Sequence, residues 1–222
     1  VMRLVRFGPL GEEKPGCIDA AGTLRDLSGV VADIGPDALQ SGKLQSLRAM
    51  DPASLPQVAG TPRLGCPIGR IGKFIAIGLN YRDHAIEAGL PIPTEPVVFF
   101  KPTSCIQGPS DAIVLPRGSE KTDWEAELGV VIGTRAKYVA EEEALQYVAG
   151  YVAVNDVSER AFQFERGQTM DKGKCCDTFG PVGPWLVTRD EVPEPGNLSI
   201  WLDVNGRRMQ AGHTSEMILG VA

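Results

Sequence analysis

The sequence predicts a mainly β protein with some short helices, an α+β fold made of one substantial domain and one small domain. Its 26 glycines and 17 prolines, with only 6% aromatic residues, favour many turns and short strands over a helical bundle. Its 222 residues, 43% of them hydrophobic, are enough to bury a core. From Phe74 onward, apolar runs of strand length are separated by turns.

Residues 1–66 are predicted to form the small α+β domain and its linker. Apolar and polar residues alternate at residues 2–7, which predicts a strand, and a second strand is expected from residue 17. Residues 24–27 and 41–49 are expected to be short connectors or helices. Several prolines and glycines between residues 53 and 72 are typical of a linker. The second domain is therefore predicted at residues 67–222.

The second domain is predicted to open with an apolar strand at residues 75–79 and a short helix that follows it. Asn80 is a candidate cap for this helix and Gly89 a candidate stop. His84 and Glu87 are three residues apart on it, so the carboxylate can orient the imidazole as a general base. Surface helices often carry such a pair by chance, but the chain has only one other histidine, His213.

Two glutamates on the next predicted strand indicate a metal site. The run after Trp124 is rich in β-branched and apolar residues, and side chains alternate along a strand, so Glu125 and Glu127 point the same way. Neighbouring half-buried carboxylates repel each other and lose hydration. A hard divalent cation with oxygen ligands removes this cost. Asp156, after the apolar run at residues 151–154, would be a third ligand.

The alternative is that both glutamates lie on a solvated edge strand beside lysines. The context favours the metal site. If Leu128, Val130 and Ile132 face a core, then the opposite, glutamate-bearing face is constrained as well. The run before Asp156 is also too apolar for a surface strand.

Charge and cysteine content exclude several classes of function. The net charge is −6 without a basic cluster, which argues against nucleic acid and anionic membranes as partners. No apolar run reaches membrane-spanning length, and the N-terminus has no signal-peptide core. The odd number of cysteines, without C-x-x-C spacing, predicts a reduced cytoplasmic protein. The cysteines are Cys17, Cys66, Cys105, Cys175 and Cys176.

The polar segment around Lys174 does not match the common nucleotide or hydrolase motifs. Gly167 to Gly173 has the wrong spacing for a phosphate-binding loop, and Cys175 stands where a magnesium-binding Ser or Thr would be needed. There is no G-x-S-x-G elbow. From spacing alone, Lys174 is predicted to be a solvated loop lysine.

From about Phe74 to Ala222 the chain resembles the fumarylacetoacetate hydrolase family, especially its shorter bacterial members. The resemblance depends on several motifs that occur in the same order. They are Gly78-Leu79-Asn80-Tyr81 before His84 and Glu87, Phe99-Phe100-Lys101-Pro102, Glu125-Ala126-Glu127-Leu128-Gly129, Asn155-Asp156 with Ser158 and Arg160, Gly173-Lys174, Asp177-Thr178-Phe179-Gly180-Pro181 and Gly183-Pro184-Trp185.

The resemblance implies a mixed β-roll with a small extra N-terminal domain, usually in a homodimer. It implies that the two glutamates and Asp156 bind Mg²⁺, or sometimes Mn²⁺ or Ca²⁺. It also implies a base dyad of His84 and Glu87, with Lys174 and Gln163 as further catalytic residues. The candidates for substrate contact are Tyr81 and Arg82, although Arg82 could equally be an exposed helix arginine.

The activity that the resemblance implies is metal-dependent hydrolysis of a carbon–carbon bond in a 2,4-dioxo acid, with release of pyruvate. The histidine dyad would deprotonate a water that attacks the distal carbonyl, Gln163 would orient that water, and Lys174 would stabilise the oxyanion. Residues 162–167 and 171–174 look most like hydrolases of 2,4-dioxo-3-deoxy sugar acids, such as those of L-rhamnose breakdown. The same site would also serve a decarboxylase or isomerase of 2-oxo acids.

Two departures from the family pattern bear on these expectations. Cys175 and Cys176 replace the Ser-Phe or Gly-Cys that usually follows the lysine. Family members also continue beyond the position of Ala222 with a helix, strands and a Gly-Thr-Pro-rich loop. We therefore expect the natural chain to be longer, because this fragment alone would leave strands unpaired. An inactive, truncated metal-binding subunit is the non-enzymatic alternative.

Overall fold

The computed structural model describes residues 2–222, which form short strands joined by turns and short helices. The strands are β1 (Arg3–Phe7), β2 (Lys14–Ile18), β3 (Leu24–Asp26), β4 (Leu64–Gly65), β5 (Phe74–Gly78), β6 (Val97–Lys101), β7 (Ile106–Gln107), β8 (Thr122–Asp123), β9 (Ala126–Ile132), β10 (Val148–Asn155), β11 (Ser158–Glu159), β12 (Gly180–Pro181), β13 (Leu186–Thr188), β14 (Ser199–Val204) and β15 (Arg207–His213). The α-helices are α1 (Pro36–Leu39), α2 (Ser41–Arg48), α3 (Arg82–Glu87), α4 (Glu141–Ala144) and α5 (Met170–Lys174). A π-helical turn at Ala161–Glu165 and several 3₁₀ turns complete the chain. This composition confirms the predicted α+β fold.

The main sheet is antiparallel and has the strand order β3–β2–β1–β13–β10–β9, with β4 also paired to β1. The strands predicted at residues 2–7 and 151–154 are confirmed as β1 and β10. The strand expected from residue 17 begins earlier, at Lys14, and ends at Ile18, because its residues pair with β1 along their whole length. Residues 24–27 were expected to be a connector or helix, but most of this segment is strand β3. The physical reason is pairing with β2, in which Leu24 lies opposite Ile18.

One apolar core packs against the main sheet and takes side chains from both halves of the chain. Leu4, Leu27 and Leu47 from the N-terminal segment belong to the same buried cluster as Ala149 and Leu186. Strands β1 and β13 also pair directly. Because the sheet and the core both continue across residue 66, the division into two domains at that point stays a prediction.

The side chains of β9 alternate between two faces, as predicted. The face that carries Val130 and Ile132, which was considered as a core face, is the more exposed one. Val130 and Ile132 are 37% and 57% exposed. Val131, which shares its face with Glu127, packs against the core. Glu127 therefore lies on the inward face of β9, beside the core, and Glu125 immediately precedes the strand.

Smaller two-stranded units surround the end of β9 and β10. Strands β5 and β6 form a ribbon whose connection contains α3, and the β14–β15 hairpin packs near β9. Among residues 2–222 no helix has both the length and the apolar character needed to cross a bilayer.

Candidate active site

Three carboxylates meet where β9 begins and β10 ends. Glu127 lies opposite Val154 in the antiparallel pair, and Asp156 directly follows β10. The Asp156 amide donates to the Glu125 carbonyl at 2.8 Å, and the Glu125 amide donates to Asn155 Oδ1 at 3.1 Å. These two hydrogen bonds bring Glu125 and Asp156, which are about 30 residues apart in sequence, to the same end of the strand pair.

Lys174 reaches this cluster from the C-terminus of α5. Its Nζ lies 2.7 Å from Glu125 Oε2 and 2.6 Å from Asp156 Oδ2, and its side chain is 4% exposed. The preceding Gly173 permits the close approach, because a Cβ there would lie 2.6 Å from Gln163 Cβ. The expectation of a solvated loop lysine is wrong, because the partners of Lys174 are distant in sequence.

Lys101 at the end of β6 is a second buried ammonium, and the sequence analysis gave it no role. Its Nζ donates to the carbonyls of Lys174 and Val157 at 2.7 and 3.3 Å. It also forms an ion pair with Asp156 Oδ1 at 2.7 Å, although that oxygen accepts no hydrogen bond. The signal in the sequence was its position two residues after Phe99, which places both on the inward face of β6.

The Glu127 side chain has no hydrogen bond or ion pair in the part of the chain that the structure describes. Burial raises its pKa to about 8, and the charges of Glu125 and Asp156 act in the same direction, against the opposing effect of Lys174. A carboxylate so placed is stabilised by a further cation or by a proton.

Gln163 and Arg160 form the adjacent wall of the site. Gln163 is buried in the π-helical turn, where its Oε1 accepts from Arg160 Nη1 at 3.1 Å. Arg160 also pairs with Glu125 Oε1 at 2.7 Å and with Asp123 Oδ2 at 2.9 Å. Arg160 was noted only as part of a motif. Its position four residues after Asp156 was the available signal.

The predicted base dyad lies on α3, outside the buried cluster. His84 and Glu87 are both exposed, and within residues 2–222 no hydrogen bond or ion pair joins their side chains. Arg82 is exposed as well. Tyr81, which precedes α3, is half-buried, and burial and then the charge of Glu127 raise the pKa of its hydroxyl.

The donor set fits a hard divalent cation. Glu125, Glu127 and Asp156 supply only carboxylate oxygens, the ligands that Mg²⁺, Mn²⁺ and Ca²⁺ prefer. Asp156 Oδ1 is buried without a hydrogen bond, although Lys101 Nζ lies 2.7 Å away, and the Glu127 carboxylate makes no ion pair within residues 2–222. Within residues 2–222, however, no three acidic, His or Cys side chains already form a metal-binding group. Instead, the Lys174 ammonium bridges Glu125 and Asp156.

The structure closely resembles several solved enzymes. A fumarylacetoacetate hydrolase from Exiguobacterium antarcticum is 32% identical with a TM-score of 0.78, over 98% of this chain and 77% of that one. A maleylpyruvate hydrolase from Sphingobium sp. SYK-6, solved with manganese(II) and pyruvate, is 26% identical with a TM-score of 0.78, over 99% and 80% of the two chains. A 2-hydroxyhepta-2,4-diene-1,7-dioate isomerase from Mycobacterium marinum is 31% identical with a TM-score of 0.71, over 98% and 77%.

Sequence comparison agrees with the structural comparison. A Burkholderia ambifaria protein, named provisionally as a hydrolase, is 62% identical over 221 residues, which are 100% of this chain and 78% of that protein. Residues 73–222 match the fumarylacetoacetate (FAA) hydrolase C-terminal family. The chain therefore belongs to the fumarylacetoacetate hydrolase family, whose relatives include both hydrolases and isomerases.

Proposed function

We propose that this protein is a divalent-metal-dependent enzyme that hydrolyses a carbon–carbon bond in a 2,4-dioxo acid and releases pyruvate. The observation that carries the proposal is the group of Asp156, which is buried, and Glu125 and Glu127, which are half-buried, with the buried Lys174 beside them. The Sphingobium relative, solved with manganese(II) and pyruvate, supports both the metal and the product class. Residues 162–167 and 171–174 favour a 2,4-dioxo-3-deoxy sugar acid as the substrate.

Each residue has a role that follows from its surroundings. Glu125, Glu127 and Asp156 would hold the cation, which supplies Lewis-acid stabilisation of substrate oxygens when bound. The Lys174 ammonium can donate to an oxygen on which negative charge develops. Arg160 holds Gln163, whose amide can orient a water. His84, supported by Glu87, would accept the proton of that water.

An isomerase acting on a 2-oxo acid is the second candidate function. The Mycobacterium marinum isomerase is 31% identical to this chain, so the two share a scaffold. Tyr81 and Arg82 would contact the substrate in either reaction.

Pyruvate release from a panel of 2,4-dioxo acids, with Mg²⁺, Mn²⁺ or EDTA, tests the proposal. The panel contains acylpyruvates, fumarylpyruvate and dioxo-deoxy sugar acids, and coupled reduction of pyruvate gives the rate. We expect metal-dependent release from a sugar acid, which Glu125→Gln abolishes. Glu142→Gln on the exposed α4 is the matched control. A metal-loaded protein that isomerises these acids without forming pyruvate would replace the hydrolase proposal with the isomerase.

A further inference from the structure

A side-chain amide holds the residue between the two metal-site glutamates. Gln210 on β15 accepts a hydrogen bond from the Ala126 amide through Oε1, and donates from Nε2 to the Ala126 carbonyl, each at 2.8 Å. The two residues are 84 positions apart. A carboxamide can satisfy the N–H and the C=O of one residue at once, as a paired strand would.

The contact lies at the free edge of β9. Ala126 is opposite Asn155 in the β9–β10 pair, and the backbone groups of neighbouring Glu125 point to β10. Because successive residues of a strand direct their N–H and C=O to opposite sides, those of Ala126 point away from β10. Gln210 therefore fixes the strand from the side that β10 cannot reach.

The segment that carries Gln210 continues to α3. After β15, Leu219 is held by Asn80, whose Nδ2 donates to the Leu219 carbonyl at 2.9 Å and whose Oδ1 accepts from the Leu219 amide at 3.0 Å. Ile218 donates to the Asn80 carbonyl at 2.9 Å. Asn80 was expected to cap α3, but the capping position is Tyr81 and the Asn80 side chain binds Leu219 instead.

We propose that residues 207–219 set the position of the glutamate pair relative to α3, with Gln210 and Asn80 as positioning residues. This proposal rests on the proposed metal-dependent function. Gln210 keeps Glu125 and Glu127 aimed at one cation by fixing the backbone between them. Asn80 anchors the start of the helix that carries His84. Both contacts involve residues 207–219, so the same segment positions the glutamates and the helix that carries His84.

Gln210→Glu tests the first contact, because a carboxylate of the same shape cannot donate to the Ala126 carbonyl. Residues that support metal ligands typically change metal affinity by about 10–100-fold when altered. We expect Mn²⁺ affinity, measured by calorimetry, to fall about 10-fold. Gln210→Ala removes both contacts, so it should lower Mn²⁺ affinity and also accelerate hydrogen exchange at the Ala126 amide. Gln45→Glu, on the exposed side of α2, should change neither quantity.

Asn80→Asp tests the second contact and should give a different result. The aspartate keeps the acceptor for Leu219 but loses the donor. We expect unchanged Mn²⁺ affinity with a kcat lowered about 10-fold, since α3 carries no metal ligand. Unaltered Mn²⁺ affinity in both Gln210 variants would overturn the positioning role while leaving the proposed function intact. Absence of Mn²⁺ binding by the unaltered protein would instead overturn the metal centre and this proposal together.

Discussion

In the carboxylate cluster, Glu125 and Asp156 each contact basic side chains within 2.7 Å, and the lysines that they contact are buried. On α3, His84 and Glu87 are exposed, and their side chains make no hydrogen bond or ion pair within residues 2–222. The cluster is thus held by charge pairing away from water, where each contact is strong. Asn80, just before α3, is joined to Leu219 by two hydrogen bonds from its side chain, and Ala85 is the buried residue of the helix.

This difference indicates a division of tasks between the two regions. A cluster that is fixed before substrate arrives can supply preorganised charge. A short exposed helix can change position when substrate binds, because few contacts oppose the movement. Variants in the cluster should therefore affect folding and metal binding, whereas variants on α3 should affect turnover alone.

Asp156→Asn is expected to have the largest effect, because it removes the carboxylate that faces both buried lysines. Leaving a buried charge without its partner typically costs about 3–5 kcal/mol. We expect a loss of that size in the free energy of unfolding, measured in urea with EDTA, and loss of Mn²⁺ binding. Asp190→Asn breaks only the half-exposed pair with Arg48 and should cost less than about 1 kcal/mol. Equal, small losses in both variants would show that the cluster is not a structural unit.

His84→Ala tests the opposite region and should separate turnover from stability. Loss of a general base typically lowers a rate about 100-fold or more. We expect that decrease in kcat, with Mn²⁺ affinity unchanged and the free energy of unfolding within about 0.5 kcal/mol of the unaltered protein. Ile86→Ala on the same exposed helix serves as the control. A His84 variant that loses Mn²⁺ binding would place the histidine in the cluster rather than apart from it.

The sequence allowed the elements that carry the site to be predicted, because local patterns determine them. Runs of apolar and β-branched residues identified β9 and β10, and the segment between Asn80 and Gly89 identified α3. The site itself depends on contacts between distant residues. Lys174 is 49 residues from Glu125 and 18 from Asp156, so its spacing in the chain indicated only a loop.

The positioning residues were beyond prediction for the same reason. Gln210 hydrogen-bonds the backbone N–H and C=O of Ala126 at the free edge of β9. Neither the residue type nor its neighbours in sequence indicate which strand it will contact. Leu24–Asp26 is a strand only because β2 lies beside it. The motifs of the resemblance contained Lys101 and Arg160, but their roles became apparent from the ion pairs with Asp156 and Glu125.

Glu127→Gln tests whether the Glu127 carboxylate is left without an ion-pair partner in the metal-free protein. Because the pKa of Glu127 is raised from 4.5 to about 8, the folded protein retains a proton that the unfolded chain releases between these values. The stability contributed by this group is therefore full below about pH 4.5 and is lost as the pH rises towards 8. One such proton gives a slope of at most about 1.4 kcal/mol per pH unit.

Urea unfolding in EDTA across this pH range measures the slope. We expect the free energy of unfolding to fall with rising pH in the unaltered protein and in Glu142→Gln, which is exposed. The decrease should be smaller in Glu127→Gln. An identical slope in the Glu127 variant would mean that the charge of Glu127 is already balanced. Glu127 would then not differ from Glu125 and Asp156, which are ion-paired.

Cys175→Ser and Cys176→Ser should have the smallest effects, although both residues follow Lys174 directly. Burial raises the pKa of both thiols, so neither is a thiolate nucleophile near neutral pH. Cys175 Sγ makes only a weak contact with the Phe100 carbonyl at 3.4 Å. We expect kcat within about twofold and a stability loss below about 1 kcal/mol for each variant. If either variant lowers kcat about 10-fold, the position of Lys174 depends on the chain that follows it, and ion pairing alone does not hold the cluster in place.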